Sequence, residues 1–192
     1  MTLSLASVAA TANPTLWYVT RASAVSAYVL LSASVVLGLM RTTRRQVPWW
    51  LDEAHRYLAL LVAGFVVLHL LSLAFDPLIP FAPLSLLLPV AEPYRPFASA
   101  LGVLGLYCLV AVAVSSWLRR YIAHATWRTL HYGSFAVFVL VTAHGLLAGS
   151  DSGEAWMRLV YLGAAILVAL LTIRRLAQAP ATAPARPARA RR

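Results

Sequence analysis

The chain has 192 residues, of which 61% are hydrophobic and only 11% are charged, and its mean hydropathy is +0.76. These values exclude an ordinary soluble domain, in which about a quarter of the residues are charged. The formal net charge of +10 comes from arginines that cluster between and after the apolar runs, which indicates membrane topology rather than nucleic-acid binding. The single cysteine, Cys108, excludes an intramolecular disulfide.

Five apolar segments are long enough to cross about 30 Å of hydrocarbon as helices. We therefore predict an all-α, polytopic membrane bundle with five transmembrane helices. The spans are expected at about 16–40, 51–75, 97–118, 127–147 and 155–173. They make up a transmembrane domain over 16–175, between a short N-terminal tail at 1–15 and a disordered basic tail at 176–192. The proline-rich and leucine-rich link at 76–96 is expected to lie on or in the membrane interface.

The distribution of arginines predicts the orientation of the bundle. The links after the first and third spans and the C-terminal tail are rich in arginine, whereas the other two links hold four carboxylates and one arginine. Positively charged links remain on the cytoplasmic side. We therefore expect the N-terminus outside, the C-terminus in the cytoplasm, and a multi-pass protein of the cell (inner) membrane.

The second span carries His55 and His69, fourteen residues apart in an otherwise apolar run. A regular helix places them roughly 21 Å apart along its axis and about 40° apart around it, so both imidazoles share one face. Polar side chains at membrane depth are costly and usually functional. This helix is the first candidate for holding a ligand within the membrane.

The fourth span carries a second pair, His131 and His144, thirteen residues apart. Both spans run from inside to outside in the predicted topology, so His131 matches His55 in depth and His144 matches His69. Two flat ligands could each be held between one histidine of each helix, and haem is the obvious candidate. Thirteen residues turn a regular helix by about 140° off its starting face, so this pairing requires a local kink or different ring orientations.

These segments resemble the ferric reductase-like transmembrane family, which includes the cytochrome part of NADPH oxidases and the bacterial haem subunit that serves methionine sulfoxide reductase. The resemblance covers about 17–150. It is carried by WYVTRASAVSAYVLL, HRYLALLVAGFVVLH, PVAEPYRP and WRTLHYGSFAVFVLVTAHGLLAGSD. It implies two haems of b type, one between His55 and His131 and the other between His69 and His144. Full reductases of the family continue into flavin and nicotinamide domains, but this sequence lacks a glycine-rich dinucleotide fingerprint.

Three arginines are candidates for binding haem propionates. Arg21 lies one turn inside the first span, where it would either neutralise an outer propionate or extend to the surface. Arg56 and Arg128 flank the inner histidines and would serve the inner haem or anchor their helices to lipid headgroups. His124, in the basic link before the fourth span, is expected to be an exposed loop residue.

The predicted function is transmembrane electron transfer, from the cytoplasmic haem to the outer one, by an electron-transfer subunit rather than a self-sufficient enzyme. Besides membrane lipid, its partners would be a separate donor, either a flavoprotein reductase or a quinol, and an unidentified acceptor. Two alternatives remain open at this point. One is a protein with a single haem at His69 and His144, and the other is a haem-free transporter or assembly subunit.

Overall fold

The computed structural model describes residues 14–43, 47–76, 84, 86–89 and 95–178. Within these ranges the chain forms six α-helices and one short 3₁₀ turn, Leu118–Arg120. The helices are α1 (Thr15–Thr43), α2 (Trp49–Ala74), α3 (Pro96–Trp117), α4 (His124–His131), α5 (Gly133–Ala148) and α6 (Ala155–Ala177). Five helical segments are long and apolar enough to cross a membrane, with α4 and α5 together forming one of them. The prediction of an all-helical bundle with five spans is confirmed.

Some sequence predictions fall mainly outside the described residues. Nearly all of the two predicted tails and most of the link at 76–96 lie there. The predicted direction of the helices across the membrane also stays a prediction, since it depends on the arginine distribution alone.

Prolines set the starts of two helices. Pro48 precedes the first turn of α2, and Pro96 occupies the first turn of α3. Proline suits this position because the amide hydrogen that it lacks would have no partner within the helix. Arg95, just before α3, adopts a left-handed conformation with φ of 47°, so the chain turns sharply into the helix.

The fourth span is interrupted at one residue. Helix α4 ends at His131 and helix α5 begins at Gly133, so Tyr132 separates the two. At Gly133 an added Cβ would lie 3.3 Å from Cγ2 of Val112, which shows how closely the junction approaches α3. The interruption follows directly after a candidate ligand, and Tyr132 itself keeps right-handed helical dihedral angles, with φ of −64° and ψ of −18°.

Helix α1 lies at the centre of the bundle. It packs along α2 and contacts α5 and α6, while α3 packs along α5. Two buried serines of α1, Ser23 and Ser32, are satisfied within the helix, since they donate hydrogen bonds to backbone carbonyls one turn back. The two histidine-bearing helices are therefore supported by different neighbours, α2 by α1 and α5 by α3.

Candidate functional site

His69 and His144 form the outer pair, named for the level that the predicted topology gives them. Backbone carbonyls of neighbouring helices hold both imidazoles. Nδ1 of His69 lies 3.1 Å from the carbonyl oxygen of Thr20 on α1. Nδ1 of His144 lies 2.7 Å from the carbonyl oxygen of Ala98 on α3. A carbonyl oxygen only accepts hydrogen bonds, so each Nδ1 carries the proton and each Nε2 keeps a lone pair for a metal.

The inner pair is held less symmetrically. Nδ1 of His55 lies 3.0 Å from the carbonyl oxygen and 3.1 Å from the hydroxyl oxygen of Ser34 on α1. Nδ1 of His131 lies 3.5 Å from the hydroxyl oxygen of Ser116 on α3, at the outer limit of a hydrogen bond. Serine thus supports both inner histidines, but only His55 has a carbonyl anchor as well.

The inner imidazoles are separated by a distance that suits a shared metal ion. The ring centres of His55 and His131 are 6.1 Å apart and their planes are inclined by 74°. A metal–imidazole bond is about 2.0 Å and the ring centre lies about 1.2 Å behind the nitrogen, so two axial imidazoles have centres about 6.4 Å apart. The spacing of the ring centres therefore has the length expected for two imidazoles that bind one metal ion.

A cavity of about 410 Å³ lies at the outer pair. Its walls come from α1, α2, α3, α5 and α6, and they include both His69 and His144. Most of the lining side chains are apolar, with a few polar groups toward the outer end. The volume and chemistry are typical of a pocket for a cofactor-sized ligand. The cavity therefore fits a largely apolar group held between the two imidazoles.

Glycines make room for the histidines. A Cβ on Gly102 of α3 would lie 2.8 Å from both Cε1 and Nδ1 of His144, closer than real contacts of a Cβ allow. Gly38 of α1 lies beside His55, where an added Cβ would meet Cε1 at 3.5 Å, an ordinary contact. Gly105 also lies close to Val141, so the glycines of α3 permit the close helix approach found here.

A packed apolar layer separates the two histidine levels. On α2, Val62 lies midway between His55 and His69 and is 2% exposed. It belongs to one buried cluster with Tyr28 of α1 and with Val137 and Phe138 of α5. The rings of Tyr28 and Phe138 stack with centres 6.3 Å apart. The two candidate sites are therefore distinct levels joined by a dry, close-packed core.

The outer rim of the cavity carries charge. Arg21 forms a two-pronged ion pair with Asp151, in which Nε lies 3.2 Å from one carboxylate oxygen and a terminal nitrogen contacts the other. Arg95 also lines the cavity, and its Nη1 donates to the carbonyl oxygen of Leu147 at 2.6 Å. Arg21 thus lies at the rim of the outer cavity, the level predicted for it, and its partner there is the carboxylate of Asp151.

The other predicted candidates lie on the surface at the inner end. Arg56 on α2 and Arg128 on α4 are exposed. His124 is exposed as predicted, although it begins α4 rather than lying in a loop. A haem propionate role for Arg56 or Arg128 stays a prediction.

Sequence reasoning missed several residues that the fold brings to these sites. Arg95, Asp151 and Tyr161 line the outer cavity, and the ring of Trp127 stacks on His131 with centres 5.1 Å apart. Most of them are polar or aromatic residues near predicted span ends, where anchoring to the interface is sufficient explanation. One signal was available: Thr20 and Ser34 are fourteen residues apart, as are His55 and His69, which suits antiparallel pairing of α1 and α2.

No group of three or more histidine, cysteine or acidic side chains within the described ranges could hold a metal ion by itself. Paired imidazoles on opposite helices instead suit a metal whose remaining ligands come from a macrocycle. The fold and these pairs define a polytopic helical membrane protein with paired histidines at two levels.

Comparison with known proteins agrees with this class. The family model described as ferric reductase like transmembrane component matches residues 23–142, more than half of the chain. The protein belongs to this family. Neither the comparison with curated proteins nor that with solved structures gave a match.

Proposed function

We propose that this protein is a b-type cytochrome that carries electrons across the membrane through two haems, each bound by two histidines. The inner haem would be held by His55 and His131, and the outer one by His69 and His144. Membership of the ferric reductase-like family supports electron transfer across the membrane as the general function. The observation that carries the proposal is that α2 on one side, and α4 and α5 on the other, present two pairs of imidazoles whose Nδ1 atoms face α1 and α3.

The helices would supply the ligands and their orientation. In three of the four histidines a carbonyl oxygen fixes the tautomer and leaves Nε2 available. Such a hydrogen bond also raises the basicity of the ligating nitrogen. When bound, haem supplies a one-electron iron couple whose potential the axial ligands and the surrounding dielectric adjust. Two histidines at each level would occupy both axial positions, so an external acceptor would receive electrons at the edge of the macrocycle.

The proposed direction is from the cytoplasmic end to the outer end, in a multi-pass protein of the cell membrane with its N-terminus outside. The arginine distribution supports this orientation through the positive-inside rule. The electron donor would be a separate flavoprotein reductase or quinol. This agrees with the family, whose members usually work with a separate reductase domain or subunit.

Haem quantification tests the proposal. The purified full-length chain is assayed for iron and for haem by its reduced-minus-oxidised spectrum, against protein concentration from amino-acid analysis. We expect about two b-type haems per chain, both low-spin. A colourless protein without a Soret band would refute the proposal and favour a haem-free transporter or assembly subunit.

A single-haem protein is the second candidate, and one observation favours it. The 410 Å³ cavity lies at the outer level, where both histidines have carbonyl anchors. In this version His69 and His144 hold the haem, while His55 and His131 are bystanders near the interface. About one haem per chain, lost in His144→Ala and retained in His55→Ala, would establish it in place of the two-haem protein.

A further inference from the structure

The ring of Trp127 covers the one candidate ligand that lacks a carbonyl anchor. Trp127 and His131 are four residues apart on α4 and therefore share a face of the helix. Their ring centres are 5.1 Å apart and their planes are inclined by 25°, which is a stacked arrangement. In the described part of the chain, the hydroxyl of Ser116 at 3.5 Å is the hydrogen-bonding group nearest to Nδ1 of His131. This imidazole is thus oriented by stacking on Trp127 and by a hydrogen bond at the limit of its distance range.

The contacts that hold Trp127 are made by the faces of its indole ring and not by its N–H group. The guanidinium carbon of Arg119 lies 5.3 Å from the centre of the indole ring, within the range of a cation–π contact. The ring of His124 lies 5.5 Å away on the same helix. Nε1 of Trp127 is buried and has no hydrogen-bond partner among the described residues. The position of the indole therefore depends on its aromatic surface.

The guanidinium group of Arg119 also limits the roles that Trp127 can have. A positive charge beside an indole opposes removal of an electron from the ring, since the oxidised ring would itself be cationic. Arg119 therefore disfavours Trp127 as a relay that is oxidised in passing. The same contact stabilises the neutral ring in its place. The geometry favours a structural action of Trp127 on the imidazole.

We propose that Trp127 is a positioning residue that sets the plane of His131, and with it the angle between the two imidazoles of the inner site. This inference rests on the proposed function, because the angle has its consequence only when haem lies between His55 and His131. Ser34 fixes His55 through two contacts to Nδ1, whereas His131 depends on the indole. The observed inclination of 74° follows from these two different supports.

The angle between axial imidazole planes has a spectroscopic signature. Low-spin ferric haem with nearly perpendicular imidazoles gives a strongly anisotropic EPR signal with one large g value, and nearly parallel planes give a smaller one. We expect the large-g signal for the inner haem of the oxidised full-length protein. The inner signal is identified as the one that disappears in His55→Ala. If His55→Ala removes no signal and no haem, the proposed two-haem function fails at this step, before Trp127 is changed.

The test compares three variants at constant haem content. Trp127→Leu removes the aromatic plane, and we expect the largest g value of the inner signal to fall and the line to broaden. Trp127→Phe keeps a smaller aromatic face and loses the unpartnered N–H, so it should retain the wild-type signal. Trp49→Leu, at an 83% exposed tryptophan of the same end of the bundle, is the matched control and should change nothing.

The outcomes separate the positioning role from general stability. If Trp127→Leu loses the inner haem while Trp127→Phe keeps both the haem and the signal, an aromatic plane is required to present His131, which supports the inference. An unchanged inner signal in Trp127→Leu would overturn it. Equal loss of the inner haem in Trp127→Leu and Trp127→Phe would overturn it too, since the plane would then not be the property that matters.

Discussion

The outer and inner histidine pairs have the same ligand types at matching depths, yet the protein supports them differently. At the outer level both imidazoles face backbone carbonyls, of Thr20 and Ala98, and a cavity lies beside them. At the inner level, Ser34 anchors the imidazole of His55. The imidazole of His131 stacks on the ring of Trp127, and its helix is interrupted at the next residue. Backbone anchors move only with their helices, whereas side-chain supports depend on rotamers and can be replaced by mutation.

This difference shows that the surroundings of two chemically equivalent sites can give the sites different roles. At the outer site the imidazoles have a fixed orientation, a glycine of α3 lies in close contact with His144, and the rim of the cavity is charged. The inner site has exposed arginines nearby, and side chains set the orientation of one of its imidazoles, that of His131. We therefore expect changes at the outer level to alter occupancy and potential, and changes at the inner level to alter geometry as well.

The largest effect is expected from removing a ligand. His69→Ala and His144→Ala should each remove the outer haem, lowering haem from about two to about one per chain, because one imidazole cannot replace the missing axial bond. His55→Ala and His131→Ala should each remove the inner haem. The measurement is haem per chain together with EPR of the oxidised protein.

His124→Ala is the matched control for haem content and should leave both haems in place, since His124 is exposed and outside both pairs; its contact with Trp127 excludes it as a control for the EPR signal. Losses that pair along one helix, such as the same haem missing in His55→Ala and His69→Ala, would show that the cross-helix assignment is wrong.

An intermediate effect is expected from filling the space beside His144. The Cβ of Gly102→Ala would lie 2.8 Å from the imidazole, so the ring must shift. Overpacking of this kind costs about 1–3 kcal/mol, which corresponds to outer-haem affinity weaker by about 5- to 150-fold. Haem titration of the apoprotein measures the change.

Substitutions at two other glycines test the comparison between the inner and outer levels more closely. Gly38→Ala would place its Cβ 3.5 Å from His55, an ordinary contact, so the inner haem should bind as before. Gly163→Ala, where an added Cβ meets nothing within 4 Å in the described structure, controls for the change in helix propensity. Equal losses in all three variants would mean that contact with the imidazole is not the cause.

The smallest effect is expected from the charged rim. Arg21→Gln should lower the potential of the outer haem, because a positive charge stabilises the reduced state, and Asp151→Asn should raise it. A unit charge some 10 Å from an iron contributes about 1–2 kcal/mol at an effective dielectric constant of about 20. Solvent at the rim weakens this, so we expect shifts of about 20–60 mV in a redox titration.

The inner haem provides the internal reference for this experiment, because Ser34 beside His55 lies roughly 20 Å along α1 from Arg21 and the inner potential should stay nearly constant. Arg158→Gln, at an exposed residue of the same end of the bundle, is the control variant. Shifts of the same sign in Arg21→Gln and Asp151→Asn would contradict an electrostatic origin and point to a change in the shape of the cavity.

Much of the architecture was accessible from the sequence. Long apolar runs must form helices in a membrane because the backbone has no other way to satisfy its hydrogen bonds there. The five segments long and apolar enough to span the membrane follow from this constraint. The histidines stand out for a similar reason, since polar groups within such runs are rare. A spacing of thirteen also predicted a local kink or different ring orientations, and the helix is interrupted at Tyr132 between the two histidines.

The supports of the histidines were not accessible in the same way. Hydropathy reports which segments lie in the membrane and says nothing of which helices are neighbours. Trp127 lies near the predicted start of the fourth span, where interfacial anchoring is a sufficient explanation, while the fold stacks it on His131. Arg21 was given two roles, and its pairing with Asp151, 130 residues away in sequence, was not considered.

By itself the sequence determined the membrane class, the helices and the four imidazoles at two depths, because each follows from hydrophobicity and periodicity within a single segment. Only the tertiary structure decided that α1 and α3 hold the histidines, that the cavity lies at the outer level, and that side chains orient His131. These features depend on contacts between segments far apart in the chain. Such contacts arise from the packing of helix surfaces, which no local pattern specifies.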